Sequence, residues 1–215
     1  MASVRLPAVA VLAAVALLAG CSGGSDESKD SGKIAGAEES GKKPSPTESS
    51  QSDSVDRPKI KVPGDLSYVF DWQKTGDKDK DAVLADTEQM IRAVDMAIAR
   101  QSPTHAAYRF YTEGTAAAGS EQFIQSFVDN KIRITGTKRF YNAKAQVKKD
   151  KTASLVYCED QRKAYNKSLK TGKTSVTEPS KNDFVIYASR LRANDQGVWI
   201  TEELTSQRGS AECQA

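Results

Sequence analysis

The chain has 215 residues, of which 38% are hydrophobic, and a formal net charge of +3 at pH 7. That charge is too small to indicate a nucleic acid or another anionic partner. One histidine and three cysteines, with no Cys-x-x-Cys or His-x-x-x-His spacing, indicate neither a metal site nor a bound cofactor.

The N-terminus has the pattern of an export signal. Arg5 precedes an almost uninterrupted run of Ala, Val and Leu over residues 6–18. This run is shorter than the roughly 20 residues that span a bilayer. It ends in "LAGC", residues 18–21, which resembles the lipobox of bacterial lipoproteins.

The lipobox resemblance implies a signal peptide over residues 1–20 and a lipid on the thiol of Cys21, which becomes the first mature residue. The chain is then expected at the extracytoplasmic face of the cell membrane, with the membrane as its partner through this anchor. The alternative is an ordinary secretory signal whose cleavage site contains a cysteine. Lipidation also accounts for the odd number of cysteines.

Residues 21–60 have the composition of a tether. No aromatic residue occurs from Ser22 to Pro58, and Ser, Gly, Glu, Asp, Lys and Pro dominate. Such a segment buries too little apolar surface to offset its conformational entropy, which predicts disorder. Charges of both signs are mixed, and this argues against a nucleic-acid tail. The segment is therefore expected to hold a folded domain away from the membrane.

The two remaining cysteines, Cys158 and Cys213, form an even pair in an exported protein. In an oxidising compartment a disulfide is the default state of such a pair. A catalytic thiol would need a histidine partner, for which His105 is the single candidate. The pattern therefore favours a structural disulfide, and His105 is interpreted as a surface or cap residue.

A single α+β domain is predicted over residues 61–215, with its helices first. Thr75 is expected to cap a first helix that begins in the acidic "TGDKDKD" turn. A second helix is predicted over 102–114, with Ser102 as its cap, and a third over 120–130. An apolar stripe of helical spacing on the first helix contains Leu84, Thr87, Ile91, Val94 and Ile98.

The second half of the domain alternates with period two, which predicts about four strands of a curved antiparallel sheet. "ANDQG" between the last two is a turn signal and predicts a hairpin. The polar stretch 169–182 is predicted to be a loop or a short hairpin around Thr171 and Gly172. The predicted strands cover 132–147, 152–167, 183–193 and 197–209.

Three helices followed by long strands resemble the nuclear-transport-factor-2-like (NTF2-like) cone fold, which also hosts SnoaL-like and ketosteroid-isomerase enzymes. The stretches "TGDKDKDAVLAD", "YCEDQ" and "GVWITEELTSQRG", followed by a near-terminal cysteine, resemble a family of secreted or lipid-anchored actinobacterial proteins. The fold alone implies no particular activity.

Enzymes of the cone fold place polar residues inside the cone, and the resemblance implies candidate pocket residues here. Aromatic residues that alternate along strands are more often core residues, so no catalytic residue is assigned. The candidate pocket residues are Tyr108, Tyr111, Tyr157, Asp160, Tyr187 and Trp199.

Three classes of function remain open. The leading hypothesis is a non-catalytic module that binds a small ligand or an envelope protein. The second is a small enzyme of SnoaL or isomerase type, which predicts a deep pocket with a buried Asp and a Tyr converging on one point. The third is a structural envelope component, which predicts a cone filled by its own side chains. The sequence predicts no particular oligomeric state.

Overall fold

A computed structural model describes residues 55–214, which lie within one compact unit spanning residues 51–215. The predicted signal peptide, Cys21 and most of the predicted tether lie outside the described residues. Val55, Ile60 and Val62 pack against the hydrophobic core. The packed part of the chain therefore extends back at least to Val55, and the domain boundary expected at residue 61 is too late. Among the described residues, no helix is long and apolar enough to cross a membrane.

Helix α1 spans Lys78–Ala99. Its cap is Asp77, whose carboxylate accepts hydrogen bonds from the backbone N–H groups of Asp79 and Lys80, so the predicted cap at Thr75 is wrong. The Thr75 hydroxyl instead donates to Asp81 at 2.9 Å and braces the same turn. An Asx or Ser/Thr side chain can fill either position.

The next two helices differ from the predicted bounds. Helix α2 spans only Ala106–Arg109. Its cap is His105, whose Nδ1 accepts a hydrogen bond from the backbone N–H of Ala107. The interpretation of His105 as a cap residue is thus confirmed, whereas Ser102 does not cap a helix. Helix α3 spans Gly114–Asn130, so the glycine predicted to stop one helix starts the next. Its left-handed φ of +57° turns the chain into α3.

The strands form one six-stranded sheet with the order β1-β2-β3-β5-β6, and β4 pairs with the far end of β3. Strand β1 pairs with β2 in parallel and was not predicted, whereas the remaining pairs are antiparallel. Of the two alternatives predicted around Gly172, a loop or a short hairpin, the structure has the hairpin, which joins β3 to β4. The "ANDQG" turn joins β5 to β6. The strands are Leu66–Asp71, Ile132–Val147, Thr152–Ser168, Thr174–Ser175, Phe184–Ala193 and Trp199–Arg208 for β1 to β6.

The helices cover one face of the sheet, with α1 against β2 and α3 against β6. The β2–β3 register shifts between Thr137 and Arg139 and again between Tyr141 and Lys144. Such bulges bend and twist the paired strands. The predicted α+β architecture, with helices packed on a curved sheet, is confirmed, with six strands rather than about four.

The opposite face of the sheet carries a small second cluster. Cys158 and Cys213 form a disulfide bond there, with their Cα atoms 5.6 Å apart, as predicted. Tyr141 packs against them and donates a hydrogen bond to the backbone oxygen of Cys213. Phe184 and Ile186 complete the cluster. The disulfide therefore fastens the C-terminal segment to the outer face of the sheet.

Candidate functional site

A cavity of about 850 Å³ lies between α1, α3 and the helix-covered face of the sheet. Helix α3 contributes a stripe at helical spacing, from Ala116 through Ser120 to Phe127. The segment before β5 contributes polar residues, among them Glu178 and Asp183. The volume lies in the range of small-molecule sites.

A buried ammonium group between two buried carboxylates forms part of the cavity lining. The Nζ of Lys138, from β2, lies 3.1 Å from Oδ2 of Asp95 on α1 and 3.3 Å from Oε1 of Glu159 on β3. The side chains of Asp95 and Glu159 are each 1% exposed, and that of Lys138 is 10% exposed. One positive charge thus faces two negative charges out of contact with bulk water.

Two tyrosines and an amide complete this cluster. The Tyr68 hydroxyl donates to Oδ2 of Asp95 at 2.9 Å. The Tyr187 hydroxyl donates to Oε2 of Glu159 at 2.7 Å, and Nε2 of Gln161 donates to the same oxygen at 2.8 Å. We call these six side chains, Tyr68, Asp95, Lys138, Glu159, Gln161 and Tyr187, the polar cluster.

Burial sets the protonation behaviour of the polar cluster. Loss of solvation raises the pKa of the Asp95 carboxyl, an effect that the charge of Lys138 opposes. Burial disfavours the ammonium form of Lys138, but the carboxylates of Asp95 and Glu159 outweigh it and raise the pKa of that group. Burial likewise raises the pKa of Tyr187, and the charge of Glu159 adds to this effect. At neutral pH, Lys138 is therefore charged and Tyr187 is a neutral hydrogen-bond donor.

The predicted pocket residues separate into three groups. Tyr157 and Tyr187 line the cavity, with their rings stacked at a centroid distance of 5.0 Å. Tyr108, Tyr111 and Trp199 are buried in the hydrophobic core and are not among the residues that line the cavity. The Tyr108 hydroxyl, for example, donates to the backbone oxygen of Pro103 at 2.6 Å.

Asp160 does not lie in the cavity, and its assignment to the pocket is wrong. Its carboxylate accepts hydrogen bonds from Arg162 at 2.7 to 3.1 Å. Successive side chains of a strand point to opposite faces of the sheet. Because Tyr157 faces the cavity, the next inward carboxylate on β3 is that of Glu159. Alternation from Tyr157 would have identified it.

Two further residues that line the cavity, Asp95 and Lys138, were not among the predicted pocket residues. Asp95 lies four residues after Ile91, on the apolar stripe of α1. A carboxylate on a stripe that faces the core indicates a buried polar residue, and the sequence alone shows this pattern. Lys138 lies at a register shift in β2, and no pattern in the sequence pairs it with Asp95, 43 residues earlier.

The geometry allows binding chemistry and acid–base chemistry. The cavity is open space, whereas a structural component was expected to fill its cone with its own side chains. Carboxylates beside tyrosine hydroxyls are the convergence that the enzyme hypothesis predicted. Within residues 55–214, no group of three or more His, Cys, Asp or Glu side chains is placed to hold a metal ion.

No family model and no curated protein matches the chain. Solved structures do resemble it. One is a ketosteroid isomerase-like protein from Erwinia carotovora atroseptica, with 12% identity and a TM-score of 0.41 over 62% of this chain and 98% of that one. Another is the intermembrane space region of the chloroplast protein ARC6, with 9% identity and a TM-score of 0.39 over 60% and 96%. At these values the likeness says nothing about ligand or activity.

Proposed function

We propose that the domain binds a small organic ligand in its cavity without transforming it. The observation that carries this proposal is an open cavity of about 850 Å³ whose lining combines apolar side chains with every member of the polar cluster except Tyr68. Ligand sites in proteins have this composition, in which apolar walls supply contact area and a few fixed polar groups orient the ligand.

The bonding of the polar cluster supports binding over catalysis. Both oxygens of Asp95 already face the ammonium of Lys138, and one of them also accepts from Tyr68. Such a carboxylate is poorly placed to take a proton from a ligand, because protein donors already bond to both of its oxygens. The cluster is thus suited to orient a ligand by hydrogen bonds and charge.

We further propose that the mature chain is anchored by a lipid on Cys21 at the extracytoplasmic face of the membrane and belongs with the actinobacterial envelope proteins that its motifs resemble. This part rests on the apolar run and on "LAGC" at residues 18–21. The ligand would then be met outside the cytoplasm.

Gly119 offers a direct test of binding in the cavity. It lies on the cavity-facing stripe of α3, and a Cβ built on it meets no atom within 4 Å. Gly119→Phe should therefore place a ring into the cavity, and the loss of a mid-helix glycine should not destabilise α3. Gly119→Ala, which adds one methyl group, is the matched control.

The assay uses residues 51–215 and the neutral fluorescent probe N-phenyl-1-naphthylamine, whose emission rises in apolar surroundings. The unaltered domain and Gly119→Ala should enhance the emission to the same extent, whereas Gly119→Phe should lose most of the enhancement. Near-UV circular dichroism checks that all three are folded. No enhancement with the unaltered domain, or full enhancement with Gly119→Phe, contradicts ligand binding in this cavity.

A second candidate function is proton abstraction next to a carbonyl group. It is favoured by the contact between Glu159 and the neutral donor Tyr187, because a general base and a hydrogen-bond donor are the groups this reaction needs. Its test is the exchange of the α-hydrogens of 2-tetralone for deuterium, followed by mass spectrometry. Acceleration by the domain that Glu159→Gln abolishes would establish it, and exchange at the buffer rate would exclude it for this ketone.

A further inference from the structure

We infer that the ligand is an organic cation, namely a protonated amine on an apolar body, with its charged group directed at Glu159. This inference rests on the proposed function and specifies the chemistry of the ligand. Three features of the cavity support it: the balance of charges in its lining, an oxygen of Glu159 without a hydrogen bond from residues 55–214, and the aromatic rings of the lining.

The lining of the cavity is acidic. Four carboxylates line it, against the two cationic groups of Lys138 and Arg208. The carboxylates are those of Asp95, Glu159, Glu178 and Asp183. In a partly enclosed space the excess negative charge is weakly screened, so it favours a positively charged ligand and disfavours an anionic one.

One buried oxygen of Glu159 lacks a hydrogen bond from the described residues. Its Oε2 accepts hydrogen bonds from Tyr187 and Gln161. Its Oε1 has no hydrogen-bond partner within the described part of the chain and only lies 3.3 Å from Nζ of Lys138. A buried carboxylate oxygen without a hydrogen bond is energetically costly, and an ammonium N–H from a ligand would supply the missing bond.

Lys138 cannot serve as the receptor for an anionic ligand. Its ammonium group faces both oxygens of Asp95, at 3.3 and 3.1 Å, as well as Oε1 of Glu159. Asp95 accepts hydrogen bonds from this ammonium group, and the two carboxylates flank its charge. An anion entering the cavity would meet two carboxylates around a cation that is already engaged.

Six aromatic residues of the described chain line the cavity. The Phe140 ring already lies 5.5 Å from the ammonium of Lys138, in cation–π geometry. Such rings accept an organic cation on their faces and the apolar body of a ligand along their edges. The aromatic residues that line the cavity are Phe123, Phe127, Phe140, Tyr157, Tyr165 and Tyr187.

Three probes with one carbon skeleton and different charge test the inference: 4-phenylbutylamine, 4-phenylbutan-1-ol and 4-phenylbutyrate. Each displaces N-phenyl-1-naphthylamine from residues 51–215 at pH 7, and the midpoint gives its relative affinity. We expect the amine to bind about tenfold tighter than the alcohol, because it forms a charge-assisted hydrogen bond in a buried site, and the acid to bind most weakly.

Glu159→Gln should reduce the advantage of the amine over the alcohol to about twofold or less, because the negative charge that binds the ammonium group is removed. Glu203→Gln, at an exposed carboxylate of β6 that pairs with Arg190, is the matched control and should keep the tenfold preference. Near-UV circular dichroism checks the folding of both variants. If Glu159→Gln does not fold, the three-probe comparison on the unaltered domain still decides the question.

Failure of this inference differs from failure of the proposed function. Equal affinities for amine and alcohol, or a preference for the acid, overturn the cationic ligand but leave small-ligand binding intact. A preference for the amine that persists in Glu159→Gln also overturns the assignment of Glu159. The proposed function is contradicted by different results, namely a domain that fails to bind N-phenyl-1-naphthylamine or a Gly119→Phe variant that binds it fully.

Discussion

Lys138→Met should be among the most destabilising substitutions on the helix-covered face of the sheet. Methionine keeps the length of the side chain and its packing near Phe140 but removes the ammonium group. The carboxylates of Asp95 and Glu159, both 1% exposed, would then remain buried without their cation. Breaking a buried ion pair by removing one partner costs about 3–5 kcal/mol. For a domain of this size, the melting temperature should fall on the order of 10 °C.

The loss should depend on pH in a defined direction. Burial raises the pKa of Asp95, and removal of Lys138, whose charge lowers that pKa, raises it further. A carboxyl with a raised pKa in the folded state contributes stability below its unfolded pKa and loses that contribution as the pH rises through the folded value. The deficit of Lys138→Met should therefore be larger at pH 8 than at pH 5 and shrink on acidification, as Asp95 takes up a proton.

Urea unfolding at pH 8 and pH 5, followed by tryptophan fluorescence, measures both effects. The control is Lys167→Met, which removes a partly exposed ammonium 2.8 Å from Asp65. Solvent screens such a pair, and its loss should cost no more than about 1 kcal/mol. Equal losses of unfolding free energy for the two variants would refute the reasoning, as would a Lys138→Met deficit that grows on acidification.

Three further predictions concern other parts of the chain. Replacing Cys158 and Cys213 by serine should lower the free energy of unfolding by about 4 kcal/mol, from the 55-residue separation of the bonded cysteines, and chemical denaturation checks it; an unchanged midpoint contradicts it. Gly136→Ala should cost about 2 kcal/mol or more in the same assay, because φ is +95° and a Cβ would lie 2.1 Å from a backbone oxygen of β3; a stable variant would show that the strands can separate there. Cys21→Ala should abolish incorporation of a fatty-acid probe in cells, and wild-type labelling would exclude the lipobox interpretation.

The sequence was sufficient for elements with a long periodic signal. The strand predicted over 132–147 coincides with β2, because its alternation continues for 16 residues. β1 carries the same alternation in Leu66, Tyr68 and Phe70 over only six residues. Its partner lies about 70 residues later and runs parallel to it, so no turn between neighbouring strands reveals the pairing. The strand was missed for that reason.

The candidate site was predictable only in part. Two of the proposed residues, Tyr157 and Tyr187, line the cavity because aromatic residues on alternating strand positions share one face. Asp160 lies on a strand expected to cross the cone, but its odd spacing from Tyr157 places it on the other face of the sheet. The contact between Asp95 and Lys138 joins α1 to β2. It depends on how the helix packs against the sheet, and the residue pattern within a single element does not predict that packing.

The way in which the segment before β1 joins the domain has a mechanical consequence. The guanidinium of Arg57 pairs with the carboxylate of Asp86 on α1, and the same carboxylate accepts the backbone N–H of Trp199 on β6 at 2.8 Å. Tension applied to the chain ahead of Val55 would reach this contact before it reached β1. The load would then divide between a helix and a strand on the far edge of the sheet, instead of peeling β1 away from β2. In a domain held from its N-terminal side, the contacts of Asp86 would therefore bear the force before the β1–β2 pairing at the edge of the sheet does.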